Sequence, residues 1–147
     1  MSSYVGAELR RLVEARASYR CEYCGIHRED AYFGCEVDHI ISEKHGGATE
    51  AGNLAYACAW CNWLKGTDLG SIAPKSGVLV RFYHPRTDQW TDHFRLSSAT
   101  IVPLTEIGEV TASILGLNRD DRREERAILQ AMGRYPREPD PARETPS

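Results

Sequence analysis

Two cysteine pairs with the same spacing, Cys21-x-x-Cys24 and Cys58-x-x-Cys61, constrain this chain more than any other feature. A CxxC turn presents two thiolates on one side of the backbone. Two such turns complete a tetrahedral Cys₄ set for Zn²⁺. The 33 residues between the pairs exceed the roughly 15–20 of a minimal zinc ribbon, so a folded element sits between the knuckles. The competing reading is two unrelated buried or redox-active pairs. A thioredoxin-like motif fits less well, because neither CxxC opens a helix in a βαβ pattern. A closed Cys₄ set leaves no open coordination position, so Cys21, Cys24, Cys58 and Cys61 are expected to hold a structural zinc. Such a site is worth about 10–16 kcal/mol in small fingers, against about 5–15 for a whole domain. Cys35, the fifth cysteine, reads as a buried small hydrophobe, with a fifth ligand or a reactive thiol as the alternative.

The chain of 147 residues is short enough for one core. Its 41% hydrophobic and 27% charged residues are ordinary for a globular protein. No apolar run is long enough to span a bilayer, and the N-terminal stretch lacks a signal-peptide apolar region. A reducing, cytoplasmic setting without membrane contact is therefore expected.

The pattern of residues places α-helices over 5–17 and from 59 to about 69, with strands over 34–41 and 54–57. A Gly46-Gly47 loop joins the strands. Short strands are expected between 78 and 103, then a helix capped by Thr105 and a second capped by Asp120 or Asp121 and ending at Gly133. The fold class is α+β: residues 1–70 form a core with the knuckles, 71–134 an extension packed on it, and 135–147 a proline-rich disordered tail. Trp60, Trp63 and Trp90 read as packing residues rather than base-stacking ones.

Inside the insertion lie Asp38-His39 and Asn53, and Asn62 follows Cys61 directly. Lys65 is one helical turn further, on nearly the same face. A strand pair leading into a helix brings these side chains together. A hard divalent ion takes oxygen ligands, which Asp38 and Asn62 supply. Imidazole is the side chain suited to proton transfer near neutral pH, so His39 is the candidate base. Lys65 is the candidate phosphate contact.

Asp38-His39-Ile40-Ile41, the Gly46-Gly47 loop, Asn53-Leu54-Ala55 and Cys58-Ala-Trp-Cys61-Asn62-Trp-Leu-Lys65-Gly66 together resemble the HNH endonuclease family. The likeness is to its zinc-stapled ββα-metal branch, in the variant with Asn in place of the last His. It spans about residues 21–66. Residues 80–94 also look like the C-terminal part of a bacterial HNH subgroup. The resemblance implies His39 as general base, Asp38 and Asn62 as ligands of a catalytic Mg²⁺ or Mn²⁺, and Asn53 as the residue that orients the base through its loop. It further implies hydrolysis of phosphodiester bonds, with double-stranded DNA as substrate, leaving 5′-phosphate and 3′-hydroxyl ends. A non-catalytic zinc-stabilised nucleic-acid-binding module and an RNA nuclease are the alternatives.

Charge argues in the other direction. The net charge is −3, and four thiolates around one Zn²⁺ would take it to about −5. Broad electrostatic attraction to nucleic acid is thus disfavoured, and modest binding that depends on the divalent ion, on salt and on local Arg and Lys clusters is expected.

Overall fold

A computed structural model of the chain describes residues 4–137. Helix α1 (Ala7–Arg16) leads into the first cysteine turn. Strands β1 (Cys35–His39) and β2 (Leu54–Cys58) pair antiparallel, with Asp38 opposite Ala55 and His39 opposite Leu54. Helix α2 (Ala59–Lys65) follows β2 without a break. Two further two-stranded sheets come next, β3 (Gly70–Ile72) with β4 (Leu79–Arg81), and β5 (Phe94–Ser97) with β6 (Thr100–Pro103). A single-turn helix α3 (Trp90–His93) precedes β5, and α4 (Glu106–Ile114) and α5 (Asp120–Ala131) close the described chain.

The apolar period of α1 explains how it packs. Val13 is fully buried and joins Val5, Ala17, Leu54 and Tyr56 in one cluster against the hairpin. A larger cluster runs from the cysteine turns through Tyr23, Ala55, Ala57, Phe82, Phe94 and Ile101 to Leu115, Leu117 and Leu129. The knuckles and the following strands and helices therefore share one core. Thr105 caps α4 as its sequence position suggests, its hydroxyl accepting from the Gly108 amide at 3.1 Å. Helix α5 departs from expectation: Arg119 occupies the cap position and no side chain caps it, while Asp120 and Asp121 lie in its first turn.

The expected tail begins too early. Tyr135 is buried, and its hydroxyl donates to the Cys24 carbonyl at 2.7 Å. Arg134 and Arg137 pair with Asp30 and Glu29. One aromatic ring and two guanidiniums give this short stretch enough partners to dock despite its prolines. Residues 138–147 lie outside the described residues. Among the described residues no helix is long and apolar enough to cross a membrane.

Candidate metal centre and adjoining cleft

The four sulfurs of Cys21, Cys24, Cys58 and Cys61 lie within 4.8 Å of one another, and all four residues are buried. The first turn closes through Gly25, whose amide donates to the Cys21 carbonyl at 2.9 Å and whose φ of +83° suits glycine. The Cys24 amide also points at the Cys21 sulfur, 3.5 Å away. A tetrahedron with metal–sulfur bonds of about 2.3 Å has sulfur–sulfur edges of about 3.8 Å. The Cys24 and Cys58 sulfurs are 3.7 Å apart. The donor set thus fits a structural zinc in both size and chemistry. Cys35 stands outside it, half-buried and unpaired, its thiol pushed up by burial.

Burial pushes the Cys21 and Cys61 thiols well up, so a strongly held positive charge is needed to keep them ionised. The protein brings one of its own. Arg122 of α5 is buried, and its Nη2 lies 3.3 Å from the Cys61 sulfur and 3.6 Å from that of Cys58. Its Nη1 donates to the Leu115 carbonyl at 3.0 Å. Burial alone would lower this guanidinium, but the sulfurs of Cys24, Cys61 and Cys58 more than offset it and raise it. Four thiolates and one Zn²⁺ carry two negative charges, and Arg122 neutralises one of them.

Beside the hairpin and α2 lies a cleft of about 450 Å³, lined by Glu36, Asp38, His39, Glu43, Asn62 and Thr67 among others. Strand alternation puts Glu36 and Asp38 on one face of β1. Asn62 reaches the same cleft from the first turns of α2. Its Nδ2 donates to Glu36 Oε2 at 3.0 Å. The His39 ring is held at Nε2, with Thr49 Oγ1 at 2.9 Å and Glu43 Oε1 at 3.8 Å. A hydroxyl and a carboxylate on that side favour the tautomer with the proton on Nε2, which leaves Nδ1 as the basic nitrogen.

Asn53 sits beneath this arrangement. Its Oδ1 accepts from the Ile41 amide and its Nδ2 donates to the carbonyls of Ile41 and Ala48, each at 2.9 Å. Its own carbonyl accepts from the Ile40 amide at 2.8 Å. The loop after His39 is thereby stapled to the start of β2. Gly47 makes this possible, since a Cβ there would fall 1.7 Å from the Ile41 oxygen and 2.8 Å from Asn53 Nδ2. Asn53 acts on the backbone two residues from His39 and does not line the cleft.

Lys65 differs from its expected role as a phosphate contact. It is 2% exposed, its Nζ lies 3.0 Å from Asp38 Oδ2, and it donates to the His39 carbonyl at 3.1 Å. Helix α2 turns this residue inward under β1, where a lone ammonium could exist only beside an anion. Burial raises the Asp38 carboxyl, and the Lys65 charge opposes that shift. Lys65 therefore gives the buried aspartate a cationic partner. Trp63 also departs from its expected packing role. It is 54% exposed, with the Phe33 ring tilted against it and the Trp60 ring edge-on, at centroid distances of 5.3 and 5.7 Å.

Glu36, Thr49 and Arg122 were not singled out from the sequence. Glu36 was available, because it is two residues before Asp38 on a strand. Thr49 and Arg122 act through loop and tertiary contacts that spacing does not encode.

Residues 21–68 match the family model of the HNH endonuclease. No curated protein and no solved structure matches the chain.

Proposed function

With residues 21–68 taken as an HNH segment, we propose that the chain is a metal-dependent endonuclease that hydrolyses phosphodiester bonds of DNA. The hairpin and α2 would then be its ββα-metal core. The observation that carries this reading is the convergence of Asp38, His39 and Asn62 on one cleft within the matched segment.

Asp38 and Asn62 would hold the divalent ion, Mg²⁺ or Mn²⁺. Their oxygen donors suit a hard cation. Glu36 takes up the Asn62 amide nitrogen, so Oδ1 is the atom available to the ion. When bound, the ion supplies charge neutralisation at the phosphate and at the departing 3′ oxygen. His39 accepts a proton from the attacking water at Nδ1, while Thr49 and Glu43 keep the ring oriented from Nε2. Asn53 fixes the backbone that carries the base. Lys65 gives Asp38 a cationic partner that opposes the upward shift its burial causes. Zinc on the four cysteines would be structural and take no part in the step.

The test is plasmid nicking by wild type and His39→Ala. Cleavage requiring Mg²⁺ or Mn²⁺, abolished by EDTA and reduced about 10²–10⁴-fold in His39→Ala with zinc content and circular dichroism unchanged, supports the proposal. Equal cutting by the variant sinks the role of His39. Binding without turnover would favour a non-catalytic module, and faster cleavage of RNA than of DNA in one buffer would favour an RNA nuclease.

A further inference from the structure

A second and larger cavity, about 750 Å³, shares no lining residue with the His39 cleft. Its walls include three guanidiniums, from Arg16, Arg20 and Arg86, and three aromatic rings, from Tyr83, Trp90 and Tyr135. Two carboxylates also line it, Glu22 and Asp88, and both are already engaged. Glu22 pairs with Arg86 through Oε1 and accepts the Tyr56 amide at 2.8 Å through Oε2. Asp88 takes both arms of Arg81, at 2.7 and 3.0 Å, and the His84 amide at 2.8 Å.

Arg16 and Arg20 are thus left without a carboxylate partner among the described residues. Arg16 donates to the carbonyls of Ala51 and Leu54 at 2.7 and 2.6 Å, and Arg20 to that of Arg137 at 2.6 Å. Carbonyls orient a guanidinium without neutralising it. The Nε atoms of Arg16 and Arg86 are buried with no hydrogen-bond partner among the described residues, a further sign that acceptors are short here. Burial, with the like charge of Arg16 behind it, pulls Arg86 down to about 10. After Glu22 and Asp88 are counted with their partners, the described residues of the cavity wall leave two positive charges in excess.

We infer that this cavity binds a terminal phosphate, the monoester dianion of a nucleotide or of a nucleic-acid end, between Arg16, Arg20 and Arg86. Three observations converge on that ligand. A phosphate monoester carries close to two negative charges near neutral pH, which equals the excess in the wall. Guanidinium forks match phosphate oxygens in a geometry that ammonium groups do not reproduce. Trp90, half-buried where Tyr83 and Tyr135 are buried, offers a surface to a base or sugar, and the volume lies within the range of small-molecule sites. The chain is acidic as a whole, so this local reversal of sign is a property of the site and not of the surface at large.

The experiment is calorimetric titration of the full chain at fixed ionic strength without divalent ions, which keeps the outcome independent of any cleavage. The ligands are inorganic phosphate, a deoxynucleoside 5′-monophosphate beside its nucleoside, and a tetranucleotide with and without a 5′-phosphate. Phosphorylated ligands should bind about tenfold or more tightly than their unphosphorylated forms. Arg16→Gln/Arg20→Gln should remove that preference, and Lys75→Gln, which removes an exposed cation outside both cavities, should leave it intact. Binding of the mononucleotide alone makes a free nucleotide the source, and binding of the tetranucleotide alone makes it a nucleic-acid end; either supports the site. Equal binding with and without phosphate overturns it. Should the double variant fold poorly, nuclear magnetic resonance of the wild type with inorganic phosphate decides. Shifts centred on Arg16, Arg20 and Arg86 support the site, and shifts elsewhere overturn it.

Discussion

The four-sulfur centre and the His39 cleft use the same short helix for opposite purposes. Cys61 and Asn62 are consecutive residues of α2, about 100° apart around its axis, so one faces the sulfurs and the other the cleft. Each region also buries a cation against anions: Arg122 against the sulfurs of Cys58 and Cys61, and Lys65 against Asp38. The sulfur centre is sealed, all four of its cysteines being buried. The cleft is open, and its carboxylates and imidazole face space that a substrate can enter. The comparison teaches that a closed site can set the aim of an open one, because fixing Cys61 fixes Asn62.

Removing the metal is the largest expected perturbation. Chelation of zinc, or Cys24→Ser, should unfold the region from the first cysteine turn through α2, a loss of about 10–16 kcal/mol seen as collapse of circular dichroism with zinc release. Retention of fold and one zinc per chain in Cys24→Ser would break the assignment of the sealed site. Next is Lys65→Met, which strands a buried carboxylate and should cost about 3–5 kcal/mol in denaturant unfolding. Adding Asp38→Asn should recover a measurable part of that cost, because the two charges are coupled. Arg122→Gln should be milder, about 2 kcal/mol, with zinc affinity falling about 10–100-fold in competition with a chelator. A larger loss from Arg122→Gln than from Lys65→Met would invert the ranking of the two buried cations.

The smallest effect belongs to an exposed counterpart of these pairs. The two arms of Arg81 and the His84 amide hold the Asp88 carboxyl down to about 2. A depressed carboxyl stabilises the fold above its unfolded value near 4 and loses that contribution as the pH falls towards 2. Arg81 is half-exposed, so the contribution is screened to about 1 kcal/mol. Asp88→Asn should flatten the acid limb of stability between pH 4 and pH 2 while leaving its slope near pH 7 unchanged.

The parts of this molecule that were readable in the sequence are those governed by local spacing. The CxxC pairs, the hairpin 35–58, the Thr105 cap and the placing of Asp38, His39 and Asn62 around one helix-and-hairpin unit follow from periodicity and ligand chemistry. What spacing could not give were contacts between distant segments. Arg122 meets a sulfur 61 positions earlier in the chain, and Tyr135 reaches the Cys24 carbonyl across 111. Lys65 shows a subtler limit. Its position on α2 was legible, but which way that face turned depended on where β1 lay. A basic residue beside a candidate catalytic motif reads as a phosphate contact until burial shows it paired with the neighbouring aspartate.

The reach of Arg122 has a bearing on how the chain comes into being. Synthesis proceeds from the N-terminus, so all four sulfurs are exposed to metal before Arg122 exists. A nascent chain that has reached residue 70 has its full set of ligands and none of the counter-charge that α5 later brings. Zinc capture at that stage would proceed with weaker hold and tighten once α5 docks. The segment matched by the family model ends at residue 68, before that point. A fragment cut at that boundary would separate the sulfurs from their guanidinium, so zinc should be held more weakly in it than in a chain that includes α5.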